Sequence, residues 1–275
     1  MQRSTRWPTD DFAATIGLGA PLSGCWTMVH GRRLFARVAV PSTSGANTPI
    51  VMVHGLGVSG RYFLPTARLL GQTFPVIVPD LPGHGRSQNP SHPFDLAEMV
   101  DALAGGLDAL GVGPAVFVAN SLGCQTVVEF VRRQSTRARA LVLTGPTGDP
   151  SVRPFPRWVI RLARDLPHEP PSLVLLQVLD YSRAGPVRVV RAARVMVTDP
   201  FLAKLSAIAQ PTLVVRGEHD PIVSQQWVEE IAAALPAGRV VVLPGAAHAV
   251  NYSAPLALAR VVTTFMTELG LDGPA

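Results

Sequence analysis

With 275 residues, 47% of them hydrophobic and 16% charged, the chain is long enough for one large α/β domain or two small ones and can bury a sizeable core. Its net charge of +5 comes almost wholly from arginine, since Lys204 is the one lysine among 24 basic residues, and the bases are dispersed along the chain. That dispersion argues against a nucleic-acid partner, and no run reaches the roughly 18 apolar residues that a membrane span needs.

Asp10 and Asp11 precede the one mildly apolar stretch near the start, so no export signal is read there and a cytoplasmic location is expected. Residues 26–30 and 34–40, separated by Gly31, Arg32 and Arg33, read as an antiparallel hairpin turning at Gly31. Short β-rich apolar runs then recur at 49–53, 75–79, 115–119, 140–144, 212–216 and 240–243, as buried strands of a parallel sheet do. Segments 62–70, 95–110, 122–133, 224–235 and 255–269 carry helical signals. In the second of these, Leu96, Met99, Val100, Leu103, Leu107 and Leu110 share one face. The expectation is an α/β fold with a mostly parallel eight-stranded sheet and helices on both of its faces.

More than 60 residues separate the strand ending at Thr144 from the one starting at Thr212, too many for a plain crossover. Helical stretches at 155–165, 172–182, 187–197 and 200–208 suggest a helical lid over residues 147–207, inserted into a core of 1–146 and 208–275. The lid holds nine Arg and Lys against five Asp and Glu, so it carries four of the chain's five net charges. The plain expectation for Arg157, Arg161 and Arg164, and for Arg188, Arg191 and Arg194, is a solvated helix face; the functional one is attraction of an anionic substrate group.

The strand at 115–119 runs into Asn120, Ser121, Leu122 and Gly123 at the start of a helix. A Ser on so sharp a turn projects its hydroxyl above the sheet edge, provided small residues lie two before and two after it, as Ala119 and Gly123 do. A hydroxyl is a poor nucleophile at neutral pH and needs a base. His248 follows the last strand in Pro244-Gly245-Ala246-Ala247-His248, where a loop would bring it beside Ser121. His219 also follows a late strand, but it neighbours the acid candidate. The base needs a carboxylate to fix its tautomer. Asp220, in Gly217-Glu218-His219-Asp220, is the first candidate, with Asp149 and Glu218 as alternatives. Two backbone N–H groups must face the developing oxyanion. Leu122 supplies one and Leu56, in His54-Gly55-Leu56-Gly57, is assigned the other; His54 is read as a brace of that loop. Cys25 and Cys124 are expected to be free buried thiols, and neither lies in a metal-binding cluster.

Together with Asp80-Leu81-Pro82-Gly83-His84-Gly85-Arg86-Ser87, these segments span 49–260 in an order that resembles the α/β-hydrolase superfamily, in its lidded group of esterases, carbon–carbon hydrolases and perhydrolases. The resemblance implies an α/β-hydrolase fold with a catalytic Ser121, Asp220 and His248. It further implies an oxyanion hole at Leu56 and Leu122, substrate contacts at Gly55, Asn120 and Tyr181, and neither cofactor nor metal. Asp80 to Ser87 is expected to be a structural turn, and Ser121 in place of Asp excludes the dehalogenase and epoxide-hydrolase branches. The expected activity is hydrolysis of a carboxylic ester, lactone or thioester of a small to medium hydrophobic molecule through an acyl-enzyme, by a monomer or homodimer. The alternatives are hydrolysis of a carbon–carbon bond in a dienoic diketone-type acid, with lid arginines on its carboxylate, and a non-catalytic ligand receptor on the same scaffold.

Overall fold

The computed structural model describes residues 19–41, 48–55, 57–150 and 155–273. Leu56 and the N-terminal residues on which the reading of no export signal rests lie outside these. Eight strands form one sheet: β1 (Ser23–Val29), β2 (Arg32–Ala39), β3 (Ile50–Val53), β4 (Val76–Asp80), β5 (Ala115–Asn120), β6 (Ala138–Thr144), β7 (Thr212–Gly217) and β8 (Gly238–Leu243). Their spatial order is β1-β2-β4-β3-β5-β6-β7-β8. The two pairings made by β2 are antiparallel and all later ones are parallel.

The parallel strands read as continuous apolar runs because both faces are covered. Ile50, Met52, Val116, Val118 and Val142 turn to one side, against α1 (Leu64–Leu70) and α10 (Pro255–Glu268), where Ala67, Leu258, Val262 and Phe265 meet them. Val51, Val53, Phe117, Leu141 and Leu143 turn to the other, against α2 (Leu96–Ala109), α3 (Leu122–Arg133) and α8 (Gln225–Ala234), through Leu103, Val127, Val131 and Ile231. Each such side chain contributes roughly 1.5–3 kcal/mol when fully buried. The start of α2 is fixed by a reciprocal pair: Glu98 N–H donates to Asp95 Oδ1 and Asp95 N–H to Glu98 Oε2, both at 2.9 Å.

One boundary differs from the sequence reading. The hairpin turns on His30 and Gly31, with φ of 48° and 75°, while Arg32 and Arg33 already pair with Val29 and Met28 in the ladder. Two successive positive φ angles suit the twist of a two-residue hairpin, and His tolerates that region better than most side chains.

Between β6 and β7 come α4 (Phe155–Asp165), α5 (Pro171–Ala184), α6 (Pro186–Thr198) and α7 (Phe201–Lys204), followed by α8 after β7 and the short α9 (Val250–Ser253) after β8. Buried polar contacts anchor this insertion to the sheet layer. Asp180 of α5 accepts from the N–H and hydroxyl of Ser59 at 2.9 and 2.6 Å, Gln125 of α3 donates to the Met196 carbonyl at 3.2 Å, and Lys204 meets Glu129 of α3 at 2.9 Å. Beyond Lys204 the helix expected to reach residue 208 tightens into a 3-10 turn over Leu205–Ala207.

Candidate active site

Ser121 sits between β5 and α3 with φ of 57° and ψ of −126°, one of two non-glycine residues with positive φ among those described. The surroundings impose this strained geometry. Its N–H donates to the Thr144 carbonyl at 3.0 Å, so the ladder to β6 continues through Ser121 while the next residue already starts a helix. Such a turn needs the helix to pass very close to β3. A Cβ at Gly123 would collide with the Val53 carbonyl and come within 2.8 Å of that of His54. Backbone cannot yield as a side chain can, so Gly123→Ala is expected to lower stability by about 1–3 kcal/mol in urea unfolding. Leu122, first residue of α3, belongs to the turn whose N–H groups have no partner within the helix, where negative charge is favoured.

His248 lies in the loop between β8 and α9, and its Nδ1 is 2.8 Å from Asp220 Oδ2. Asp220 follows β7, and its Oδ1 accepts from the N–H groups of Ile222 and Val223 at 2.7 and 3.0 Å, so the carboxylate is held in one orientation. With Nδ1–H donated to Asp220, Nε2 is left as the basic nitrogen. Gly145, at φ 51° after β6, makes room for the ring, since a Cβ there would lie 2.9 Å from His248 Cε1. The two alternative acids are engaged elsewhere: Asp149 accepts from Ser224 N–H and Oγ–H, and Glu218 from Gly245 N–H.

A polar network ties these loops together. Tyr62 Oη accepts from Gly55 N–H at 2.9 Å and donates to Asn120 Oδ1 at 3.0 Å, while Asn120 Nδ2 reaches Thr144 Oγ1 at 3.0 Å and the His248 carbonyl at 3.3 Å. Asn120 therefore joins the loop after β3, the Ser121 turn and the His248 loop. His54 acts as the expected brace, its Nε2 accepting from Leu81 N–H at 2.9 Å. The turn after β4 is structural: buried Asp80 accepts from Arg37 Nη1, Gly60 N–H and Arg86 N–H at 2.8–2.9 Å.

Ser121 and His248 open on a common pocket of about 40 Å³, lined also by Gly55, Tyr62, Asn120 and Ile222 and, from the insertion, by Leu162, Asp165, Gln177 and Tyr181. That is space for a few water molecules. Tyr181 packs its ring over Gly57, beside the loop that holds Leu56, and burial pushes its phenol up to about 12. All of Gly55, Asn120, Ser121, Tyr181 and His248 are thus brought to one cavity, with Asp220 behind the imidazole.

A model of the alpha/beta hydrolase family matches residues 50–261. The chain belongs to that family. Among its relatives, the 2-(acetamidomethylene)succinate hydrolase of Mesorhizobium japonicum is 24% identical over 248 residues, which cover 81% of this chain and 89% of that protein. Among solved structures, a thermophilic esterase from Thermogutta terrifontis superposes with a TM-score of 0.71 at 25% identity, over 89% of this chain and 97% of its own. The enol-lactonase from Burkholderia xenovorans superposes with a TM-score of 0.72 at 23% identity, over 88% of this chain and all of its own, a likeness of fold.

Two features of this alpha/beta hydrolase escape sequence reasoning. Tyr62 is one; nothing in its spacing from Gly55 signals that its hydroxyl links two loops. The other is a pair of buried carboxylates, one from the last residue of α4 and one from just beyond the turn that follows it, which the sequence offers only as charges set against the lid arginines. Asp165 Oδ1 accepts from His248 N–H at 3.2 Å and Glu169 Oε1 from Ala249 N–H at 2.6 Å, so the insertion grips the backbone of the histidine loop. Burial alone would push the His248 imidazole down; Asp220, with Asp165 and Glu169 behind it, overcomes this and holds it up at about 9. Burial raises the Glu169 carboxyl to about 7. Being raised, Glu169 destabilises the fold progressively as pH climbs from its ordinary value of 4.5 through 7. Glu169→Gln keeps the acceptor for Ala249 and removes the charge. It is expected to raise Tm above pH 7, leave Tm unchanged below pH 4.5, and move the acid limb of the pH–rate profile to lower pH.

None of the described arginines of α4, α5 and α6 lines the pocket, although Arg161 Nη1 donates to the carbonyl of Ile222, one of the lining residues. Arg157, Arg164, Arg191 and Arg194 are exposed, Arg188 donates to the Ala184 and Pro90 carbonyls, and the described lining contains no Arg or Lys. Cys25 and Cys124 are both free and buried. No helix among the described residues is long and apolar enough to cross a membrane.

Proposed function

We propose that this hydrolase cleaves the acyl–oxygen or acyl–sulfur bond of small uncharged esters, lactones or thioesters through an acyl-enzyme on Ser121. The observation that carries this reading is the strained Ser121 turn sharing one cavity with an imidazole whose Nδ1 is fixed by Asp220. His248 Nε2 takes the Ser121 proton as Oγ attacks the carbonyl carbon, and the imidazolium is stabilised by Asp220. The oxyanion forms against the N–H of Leu122, with Leu56 assigned the second donor. The tetrahedral intermediate collapses, the leaving alcohol or thiol departs with the proton from His248, and water attacks the acyl-enzyme by the same route in reverse.

The charge of the pocket supports uncharged substrates over acids. Its described lining holds no Arg or Lys, so the carboxylate of a dienoic acid would find no guanidinium or ammonium group to receive it. The name of the esterase agrees with acyl–oxygen chemistry. A screen of p-nitrophenyl esters, lactones, thioesters and a dienoic carbon–carbon substrate tests this. Short uncharged esters are expected to exceed the dienoic acid by at least ~100-fold in kcat/KM, about 2.7 kcal/mol of transition-state discrimination. The reverse order would replace the ester reading with the carbon–carbon one, and no turnover together with no fluorophosphonate labelling would point to a receptor.

A further inference from the structure

Acyl chemistry leaves the outer surface of the inserted helices unexplained. All five Asp and Glu between residues 147 and 207 are buried, Asp149, Asp165, Glu169, Asp180 and Asp199 being at most 9% exposed. Ser59, the histidine loop and Lys204 occupy most of them. Arg157, Arg164, Arg183, Arg191 and Arg194 are all exposed. The charge that this part of the molecule presents to solvent is therefore of one sign, although its sequence holds both.

The same surface is apolar between the arginines. On α5, Leu175, Val178 and Leu179 are 62, 60 and 41% exposed, and their spacing of three and four residues places them on one face of the helix. On α6, Val187 and Val190 are 68 and 63% exposed and are followed on the same side by Arg191 and Arg194. On α4, Ile160 at 52% lies between Arg157 and Arg164. A single exposed Val or Leu needs no explanation, but stripes on successive helices do.

We propose that the outer face of α4, α5 and α6 docks on an anionic lipid bilayer, with Leu175, Val178, Leu179, Val187 and Val190 entering the headgroup–acyl boundary and the arginines meeting lipid phosphates. A basic amphipathic helix face is the composition that lies in such an interface, and each arginine near the surface adds electrostatic attraction. A second copy of the chain is the poorer occupant. A two-fold interface sets the same patch against itself, and here it would oppose arginines with no exposed acid of the insertion to receive them. Docking in this way sets the pocket directly behind the membrane-facing helices, since Leu162 of α4 and Gln177 and Tyr181 of α5 line it from their inner sides. The inference stands independently of the reaction that Ser121 performs.

Flotation of the full-length protein with phosphatidylcholine vesicles, with and without about 30 mol% phosphatidylglycerol, tests it. The bound fraction is expected to be at least ~10-fold greater on the anionic vesicles at low salt and to fall steeply in about 0.5 M NaCl. Arg191→Glu with Arg194→Glu, and separately Leu175→Gln with Val178→Gln, should each lower binding at least ~10-fold while leaving the circular-dichroism spectrum and Tm in place. Equal binding to both vesicle types, no binding to anionic vesicles at low salt, or binding indifferent to both double variants would overturn the proposal. So would a dimer in light scattering that Leu175→Gln with Val178→Gln dissociates, which would assign the face to a second copy.

Discussion

Ser121→Ala is expected to lower kcat for a p-nitrophenyl ester by about 10⁴- to 10⁶-fold and to abolish labelling by a fluorophosphonate. On the proposed mechanism the hydroxyl is the group that forms the acyl-enzyme, so its removal would leave only the binding and oxyanion stabilisation offered by the pocket. A structural role for Ser121 would give a different pattern. At φ 57° and ψ −126° any side chain with a Cβ is strained, at a cost of about 1–3 kcal/mol. Ser121→Gly relieves that strain while losing the same chemistry, and Tm is expected to rise by roughly 2–4 °C per kcal/mol recovered. Loss of activity with a gain of stability is the signature of a position held under strain for its chemistry. Labelling that survives in Ser121→Ala, or turnover that survives in Ser121→Gly, would remove Ser121 from the reaction.

Much of this was legible in the sequence because it depends on local periodicity. Strands such as Ile50–Val53 and Ala115–Asn120 are buried on both faces, so their apolar runs are unbroken, and α3 has its first and last residues where the pattern of 122–133 puts them. The nearness of Ser121, Asp220 and His248 follows from topology: in a parallel sheet the segments after β5, β7 and β8 all emerge at one edge. What stayed hidden depends on contacts across long sequence separations. Tyr62 reaches Asn120 from 58 residues away, and Asp165 and Glu169 reach the histidine loop from 83 and 80. A buried carboxylate that caps a distant backbone N–H has the same sequence appearance as a solvated surface acid. For that reason residues 147–207 read as a mixed-charge surface in sequence, whereas in the fold their acids are buried and Arg157, Arg164, Arg183, Arg191 and Arg194 are exposed.

Asp220→Asn is expected to cost about 10⁴-fold in kcat, because the amide can present an N–H to Nδ1 and so stabilise the tautomer with its proton on Nε2, which cannot accept from Ser121. The same substitution separates the two jobs of the carboxylate through its effect on titration. Burial pushes the His248 imidazole down, and Asp220 is first among the carboxylates that lift it to about 9. A histidine raised above its ordinary 6.5 stabilises the folded state fully below pH 6.5, and that contribution is lost as pH rises through about 9. Wild type is therefore expected to exceed Asp220→Asn in unfolding free energy most at pH 6, with the gap closing above pH 9. In parallel, kcat/KM of the wild type for an uncharged ester should climb towards an alkaline plateau as His248 loses its proton. The NMR titration midpoint of the His248 ring should move down in Asp220→Asn, where Asp165 and Glu169 alone oppose burial. An unchanged midpoint, or activity within about ten-fold of wild type, would mean that Asp220 neither orients nor charges the base.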